Sequence, residues 1–169
     1  MIEFVTPDAI VERVCDIPLA LLQRWGVVGI ALDLDNTIVP WHTSDIAPGV
    51  TEWVQGVRES GVKFCLLTNN YAPHVREVGG ALSMPIVRGA LKPLPGGFAA
   101  VQRQLGTAAS RTLVIGDQLF TDVLGAKAAG MRAIVVTPLG HREFPTTKLL
   151  RALERPVYAR LAKARVLAP

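Results

Sequence analysis

The sequence is poor in cysteine and in charge. Only 2 of its 169 residues are cysteines, which excludes a disulfide-rich scaffold and a four-cysteine zinc site. Cys65 lies in an apolar run, which predicts a buried free thiol. Charged residues make up 19% and hydrophobic residues 50%, which excludes a disordered or collagen-like chain. We therefore expect residues 1–169 to form one domain with a core of ordinary size.

Long hydrophobic segments are missing as well. No apolar stretch reaches about 18 residues without a charge, so no membrane-spanning helix is expected. The N-terminus has no basic region followed by an apolar run, so no signal peptide is predicted. The sequence has no internal repeat and no specific nucleic-acid motif. These absences predict a cytoplasmic protein.

Positive charge is concentrated in the C-terminal part of the chain. Residues 1–140 contain 11 Lys and Arg and 12 Asp and Glu, for a net charge of −1. Residues 141–169 contain 7 Lys and Arg and 2 Asp and Glu, for a net charge of +5. A basic helical segment is predicted over 145–169. It either contacts an anionic membrane at the inner face or binds a partner, or else its leucines pack on the domain and its arginines are solvated.

Apolar runs alternate with amphipathic stretches along the chain. The runs predict buried strands over 27–32, 62–67, 85–87, 112–115 and 133–136. Helices are predicted over 49–60, 72–79, 97–105 and 119–129, and over 7–23 with an interruption near Pro18. This alternation predicts an α/β fold, a three-layer doubly wound parallel sheet of the Rossmann-like kind.

Polar residues stand where the predicted strands end. Asp33 and Asp35 follow the first run, Thr68 ends the second, and Asp117 follows the fourth. In an open parallel sheet, ligands bind at the carboxyl ends of the strands. Two carboxylates at ~4 Å repel by about 4 kcal/mol at an effective dielectric constant near 20. A cation, a shared proton or a nearby lysine such as Lys92 must offset that repulsion.

Each of these residues has an assignable chemical role. An oxygen-rich cluster that includes Asp117 and Asp122 suits Mg²⁺. Lys92 supplies a positive charge for a phosphate. One carboxylate of the first pair acts as a nucleophile while the other exchanges protons. Taken singly, an Asp or Thr after a strand is an ordinary turn former or helix cap, and a Lys an ordinary surface residue. Their combination at the strand ends favours a site.

The same residues carry a family resemblance. Residues 33–38, Asp-Leu-Asp-Asn-Thr-Ile, resemble the first motif, D-x-D-x-T, of the haloacid dehalogenase-like hydrolases. Thr68, Lys92 and residues 116–122 resemble the second, third and fourth motifs in the same order. The resemblance extends over residues 27–137. It implies the fold of that family, with a phosphorylated substrate.

The resemblance also implies roles for single residues. Asp33 is then the nucleophile and Asp35 the general acid/base. Asp35 favours a phosphatase or phosphomutase, because dehalogenases need no proton donor there and P-type ATPases carry threonine. Thr68, Asn69 and Lys92 are expected to bind the phosphoryl group. Mg²⁺ is then held by the Asp33 carboxylate, the Asp35 backbone carbonyl, Asp117, and Asp122 directly or through water.

The spacing of the motifs leaves no room for a cap domain. Thr37 and Thr68 are separated by 30 residues, and Thr68 and Lys92 by 23. Domains begin at about 50 residues. An open site suits a macromolecular or membrane-bound substrate, or a partner subunit that closes it in an oligomer. A phosphomutase needs closure against water, so a phosphatase is preferred.

Flanking residues resemble one subfamily more closely. Residues 35–41, 68–70 and 116–123 are similar to the subfamily IIIA phosphatases, which include phosphatidylglycerophosphate phosphatases; Thr68 stands where serine is expected. Phosphatidylglycerophosphate is thus one candidate substrate. The alternatives are a soluble sugar phosphate or nucleotide, a non-catalytic binding module that uses the basic segment, and a receiver domain. The zinc-bearing members need a Cys/His cluster, and the sequence predicts only surface or loop roles for the histidines, His42, His74 and His141.

Overall fold

A six-stranded parallel sheet forms the centre of the molecule. The computed structural model describes residues 2–140 and Glu154. The strands are β1 (Ala9–Val11), β2 (Gly29–Leu32), β3 (Lys63–Thr68), β4 (Ile86–Arg88), β5 (Thr112–Gly116) and β6 (Arg132–Val136). They are ordered β1-β6-β5-β2-β3-β4 across the sheet. The five strands expected from the sequence are confirmed, with bounds that differ by one or two residues.

Helices cover both faces of the sheet. The α-helices of the described residues are α1 (Leu19–Arg24), α2 (Val50–Glu59), α3 (His74–Ala81), α4 (Pro95–Leu105) and α5 (Leu124–Ala128), with 3-10 helices at Ile2–Val5, Val14–Asp16 and Ala109–Arg111 and a π-helix at Leu119–Val123. Alternate residues of β2 point to opposite faces. Ile30 and Leu32 join one buried apolar cluster with α1, α2 and α3, and Ala31 joins a second cluster with α4 and α5. This arrangement confirms the three-layer α/β fold.

The predicted helix over 7–23 is wrong in its first half. Residues 9–11 form the edge strand β1, and only α1 within that span is an α-helix. Asp8 explains the strand, because its carboxylate accepts the Ala133 N–H at 2.7 Å and the Lys127 ammonium at 2.6 Å. These contacts place the following residues beside β6. The prediction over 119–129 also needs correction, because this span begins as the π-helix.

The strand pairing determines where the site residues meet. Leu32 at the end of β2 pairs with Leu66 of β3 on one side and with Ile115 of β5 on the other. The Asp33 N–H extends the second pairing by donating to the Ile115 carbonyl at 2.8 Å. The residues that follow β2, β3 and β5 therefore emerge at one edge of the sheet, as expected for ligand binding in this fold.

Two further expectations concern the remainder of the chain. Among the described residues, no helix combines the length and apolar character needed to cross a bilayer. The basic segment predicted over 145–169 lies outside the described residues, apart from Glu154. That glutamate is buried and accepts the Phe120 N–H at 2.9 Å.

Candidate active site

Three buried carboxylates converge at the carboxyl edge of the sheet. Asp33 directly follows β2, Asp117 directly follows β5, and Asp122 lies in the π-helix. One carboxylate oxygen from each lies within 4.8 Å of the others. The β2–β5 pairing brings the first two together although they are far apart in sequence. These are three of the residues that the sequence analysis assigned to a metal site.

Lys92 lies between two carboxylates of this cluster. Its Nζ donates to Asp33 Oδ1 and to Asp122 Oδ1, both at 2.6 Å, and to the Leu67 carbonyl at 3.0 Å. Its side chain is only 4% exposed. Three carboxylates and one ammonium leave a net charge of −2 in a buried space, which one divalent cation would neutralise.

The charge balance of the cluster shifts two pKa values. Burial raises the pKa of Asp33, the attraction of Lys92 partly opposes this effect, and the negative charges of Asp122 and Asp35 add to it. Together these effects raise the pKa of Asp33 to about 6. Burial lowers the pKa of Lys92, but Asp122 and Asp33 outweigh that effect and hold it above its ordinary value. Lys92 is therefore a fixed cation, whereas the Asp33 carboxylate needs more positive charge than Lys92 provides.

The turn from β5 into the π-helix places Asp122. A Cβ on Gly116 would lie 2.3 Å from the Asp122 Cγ, so the carboxylate packs directly on the glycine backbone. Asp122 Oδ2 accepts the Gln118 N–H at 3.2 Å. Single-turn π-helices are frequent at functional sites. Glu154 binds the Phe120 N–H in the same turn, which connects this loop to the C-terminal part of the chain.

Asp35 occupies a separate position beside the cluster. Its Oδ1 lies 3.2 Å from His74 Nε2 and accepts the His42 backbone N–H at 3.2 Å. Its Oδ2 accepts the Asn70 side-chain amide at 2.8 Å. Three groups, one from the loop after β2 and two from the segment that follows β3, thus hold one carboxylate.

His74 is a site residue that the sequence analysis did not select. It is buried and lies beside Asp35 at the start of α3, so the expected surface or loop role is wrong. The 39 residues between the two conceal the contact from any spacing argument. One signal was present, because a helix that follows a parallel strand begins at the carboxyl edge of the sheet, where ligands bind.

Thr68 and Asn69 lie at the end of the neighbouring strand. Thr68 is buried at the end of β3, and its Oγ1 accepts the Asn70 N–H at 3.1 Å. The Asn69 side chain accepts the Lys92 N–H at 2.7 Å and donates to the Lys92 carbonyl at 3.2 Å. Asn69 therefore holds the backbone of Lys92, a role that the sequence analysis did not foresee. The Asn69 side chain lies on the exposed surface of the site.

The donor set of the cluster fits a hard divalent cation. All three clustered groups are carboxylates, and no cysteine or histidine belongs to the cluster among the described residues. Oxygen-only ligands favour Mg²⁺, Ca²⁺ or Mn²⁺ over the softer metals. The net negative charge and the raised pKa of Asp33 are consistent with a site that binds such a cation.

Sequence comparison connects this geometry to known proteins. Residues 27–130 match the haloacid dehalogenase-like hydrolase family. The chain is 32% identical over 161 residues to "Probable phosphatase YqeG" of Bacillus subtilis (strain 168), covering 95% of this chain and 94% of that protein. It is 28% identical over 127 residues to the chloroplastic "Phosphatidylglycerophosphate phosphatase 1" of Chlamydomonas reinhardtii, covering 70% of this chain and 47% of that protein. The chain thus spans about half the length of the algal relative.

Structural comparison agrees at the level of the fold. The cobalt-bound deoxy-D-mannose-octulosonate 8-phosphate phosphatase (YrbI) from Haemophilus influenzae superposes with a TM-score of 0.57. The superposition covers 86% of this chain and 95% of that one at 16% identity, which shows a shared fold alone. The family match and the 32% identity to the Bacillus protein show the family as well as the fold. The chain belongs to the haloacid dehalogenase-like hydrolase family, as a phosphatase.

Proposed function

We propose that the chain is a Mg²⁺-dependent phosphomonoester hydrolase that works through an aspartyl-phosphate intermediate on Asp33. The observation that carries the proposal is the buried contact of the Lys92 ammonium with both Asp33 and Asp122 inside a cluster of three carboxylates. A structural ion pair would not need three carboxylates for one lysine. A site that binds a phosphate and a divalent cation would need this excess of carboxylates.

Asp33 is the nucleophile in this proposal. Its Oδ1 accepts from Lys92 and its Oδ2 accepts the Thr37 hydroxyl at 3.1 Å, so the carboxylate has a defined orientation. A carboxylate oxygen attacks phosphorus, forming the O–P bond as the bond to the leaving oxygen breaks. Water then attacks the same phosphorus, which releases inorganic phosphate and restores Asp33.

Asp35 is the general acid/base. It donates a proton to the leaving oxygen in the first step and accepts a proton from the attacking water in the second. His74, Asn70 and the His42 backbone N–H hold its carboxylate beside the nucleophile. These contacts support the role because a proton-transfer group acts only when it is held at the right place.

Thr68, Asn69 and Lys92 bind the phosphoryl group. The Thr68 hydroxyl and the backbone after β3 lie at the edge where Asp33 emerges, since β2 and β3 are paired there. Lys92 contributes its fixed positive charge to the phosphoryl oxygens. Asn69 keeps the backbone of Lys92 in place from the side.

The metal would be held by the Asp33 and Asp117 carboxylates, the Asp35 backbone carbonyl and Asp122. When bound, Mg²⁺ neutralises negative charge on the phosphoryl group and on Asp33, which allows the two anions to approach. Both oxygens of Asp122 already accept hydrogen bonds, from Lys92 and from the Gln118 N–H. This favours binding of Asp122 through water.

Phosphatidylglycerophosphate is the substrate that we favour. The Chlamydomonas relative and a relative in Arabidopsis thaliana, at 28% and 22% identity, are both named phosphatidylglycerophosphate phosphatases. The described chain from Thr37 to Lys92 contains only α2, β3, α3, β4 and their loops, so no inserted cap covers the site. An open site admits the phosphate of a lipid headgroup. A soluble sugar phosphate or nucleotide is the alternative.

The remaining parts of the proposal concern the whole chain. Residues 1–169 form one domain of the subfamily IIIA type. Glu154, the described residue of the basic segment, is buried and accepts the Phe120 N–H.

The test is phosphate release by the purified chain with Mg²⁺ or with a chelator. The panel contains 4-nitrophenyl phosphate, phosphatidylglycerophosphate in mixed micelles, sugar phosphates and nucleotides. We expect Mg²⁺-dependent release that is fastest with the lipid and absent in Asp33→Asn. Asp45→Asn, which changes an exposed carboxylate, is the matched control and should retain full activity. Activity of Asp33→Asn, or release that the chelator leaves intact, would overturn the mechanism.

A further inference from the structure

Three exposed hydrophobic side chains flank the entrance of the site. Tyr71, Leu91 and Leu94 are 65%, 62% and 57% exposed, and we name them the entrance patch. The other large hydrophobic side chains exposed among the described residues are Phe4 and Leu19. Three of these five large exposed side chains thus lie on the loops that carry Asn69 and Lys92.

The two loops of the entrance patch form one surface. Asn69 on the first loop is hydrogen-bonded to both backbone groups of Lys92 on the second. The Tyr71 ring lies on Gly89, where a Cβ would come within 1.8 Å of it. The Leu94 N–H donates to the Leu91 carbonyl at 2.9 Å. The leucines therefore lie outside the site in the same loop that directs Lys92 into it.

Leucine is locally unfavourable at both of its positions in this patch. Leu91 has a φ of 53°, a left-handed backbone in which asparagine or glycine is more stable. Leu94 precedes the first residue of α4, where its side chain makes no capping hydrogen bond. Serine, threonine, aspartate or asparagine would be more stable there. Neither the backbone nor burial accounts for these two leucines, so a binding partner is the remaining explanation.

The charge around the entrance patch indicates the kind of partner. Residues 69–73 and 88–94 contain no aspartate or glutamate. Their charged residues are Arg88, which is exposed, and the buried Lys92. Exposed leucines and a tyrosine beside an arginine, with no acidic group, match the acyl chains, interfacial layer and phosphates of a phospholipid surface.

We infer that the entrance patch docks on a phospholipid bilayer and presents the open site to a headgroup phosphate. The leucines enter the outer acyl region, Tyr71 lies at the headgroup level and Arg88 contacts lipid phosphates. This inference rests on the proposed lipid substrate. It places the membrane contact on the loops at the site rather than on the basic segment 145–169.

The variant for the test combines Leu91→Asn and Leu94→Ser. Asparagine suits the left-handed backbone, and serine can cap α4, so the fold should not be weakened. Phe4→Ser removes an exposed aromatic side chain from the first 3-10 helix and is the matched control. A melting curve for each variant checks that the fold is retained.

The first measurement is flotation with vesicles of phosphatidylcholine and phosphatidylglycerol, which needs no turnover. We expect vesicle partitioning of the double variant to fall by about tenfold or more, and that of Phe4→Ser to stay within about twofold. Equal partitioning of the double variant and the unmodified chain would overturn the inference. So would a wild-type chain that does not bind vesicles.

The second measurement compares two substrates. Turnover of phosphatidylglycerophosphate in vesicles should fall with vesicle binding in the double variant, while turnover of soluble 4-nitrophenyl phosphate stays unchanged. An equal loss on both substrates would overturn the docking role. If patch-dependent vesicle binding occurs but no lipid phosphate is released, the proposed substrate fails and the docking inference stands.

Discussion

At the scale of single residues, Asp33 lies where burial and neighbouring charge oppose its ionised form. Its pKa is raised to about 6, mainly by burial and in smaller part by the negative charges of Asp122 and Asp35. Lys92 compensates only in part, because it is shared with Asp122. The ionised carboxylate of a nucleophile in this environment is poorly stabilised without a further positive charge. Its ionisation is therefore linked to cation binding.

Asp33→Asn is expected to stabilise the metal-free protein at neutral pH. The pKa of about 6 in the folded state exceeds the ordinary value of 3.8, so the folded state binds this proton more tightly than the unfolded state. The stability associated with protonated Asp33 is complete below pH ~4 and is lost as the pH rises through ~6. In a chelator at pH 7.5 the free energy of unfolding of the variant should be higher by up to about 2–3 kcal/mol.

Urea unfolding at pH 7.5 and at pH 4.5 measures this effect. The difference between Asp33→Asn and the unmodified chain should shrink at the lower pH, where Asp33 is largely protonated. A less stable variant at pH 7.5 would show that the Lys92 contact outweighs the burial of the carboxylate.

His74→Leu is expected to slow hydrolysis selectively for substrates with poor leaving groups. The histidine positions Asp35 at 3.2 Å, and a displaced general acid matters most where the leaving oxygen must be protonated. We expect kcat on an alkyl phosphate to fall by about tenfold or more, and kcat on 4-nitrophenyl phosphate to fall much less.

The matched variant is His74→Gln, whose side-chain amide keeps a donor for Asp35. It should restore most of the alkyl phosphate activity. If His74→Leu lowers kcat on both substrates by the same factor, the histidine acts on the fold and not on the orientation of Asp35.

At the scale of secondary-structure elements, the turn from β5 to the π-helix decides the position of Asp122. Gly116 ends the strand, and the Asp122 carboxylate fills the space that a side chain would occupy there. The Phe120 N–H in the same turn is bound by Glu154. The site thus depends on close packing of this short element from two sides.

Gly116→Ala is expected to damage the site. The added methyl would lie 2.3 Å from Asp122 Cγ, so the carboxylate and its contact with Lys92 must shift. Such overpacking typically lowers the free energy of unfolding by about 1–3 kcal/mol. Activity should fall sharply, and the Mg²⁺ concentration needed for half-maximal activity should rise.

Gly56→Ala is the control for this prediction. Gly56 lies in α2 with open space around its Cβ position, so alanine should stabilise the helix by about 1 kcal/mol and leave kinetics unchanged. Normal Mg²⁺ dependence in Gly116→Ala would contradict the placement of Asp122 in the metal site.

At the scale of the whole molecule, the strand order assembles the site. β2 lies between β3 and β5, so segments that begin near residues 33, 68 and 117 meet at one edge. The carboxylates brought together there repel one another, and Lys92 offsets only part of that charge. A bound divalent cation should therefore stabilise the entire fold.

Mg²⁺ is expected to raise the melting temperature of the chain. A ligand at about 100 times its Kd stabilises the folded state by about 2.7 kcal/mol, which corresponds to roughly 5–11 °C for a domain of this size. Asp117→Asn should abolish the shift, whereas Asp45→Asn at the surface should retain it. Differential scanning calorimetry with Mg²⁺ and with a chelator is the measurement. An equal shift in both variants would mean that Mg²⁺ binds elsewhere.

The sequence by itself determined five of the six described strands and the polar residues at the strand ends. Buried parallel strands are continuous apolar runs, and polar residues directly after them mark the edge where ligands bind. Asp33, Lys92, Asp117 and Asp122 could therefore be selected before any contact was known. The edge strand β1 escaped prediction because its short apolar run lies at the start of the stretch 7–23, and periodicity alone does not distinguish such a run from part of a buried helix.

Only the tertiary structure decided which side chains hold these residues in place. The contacts of Asp35 with His74, of Asn69 with Lys92 and of Gly116 with Asp122 join segments through space, and two of them connect distant parts of the chain. Sequence spacing indicates only neighbours along a helix or strand. Contacts between segments depend instead on strand order and loop packing, which exist only after the sheet has formed.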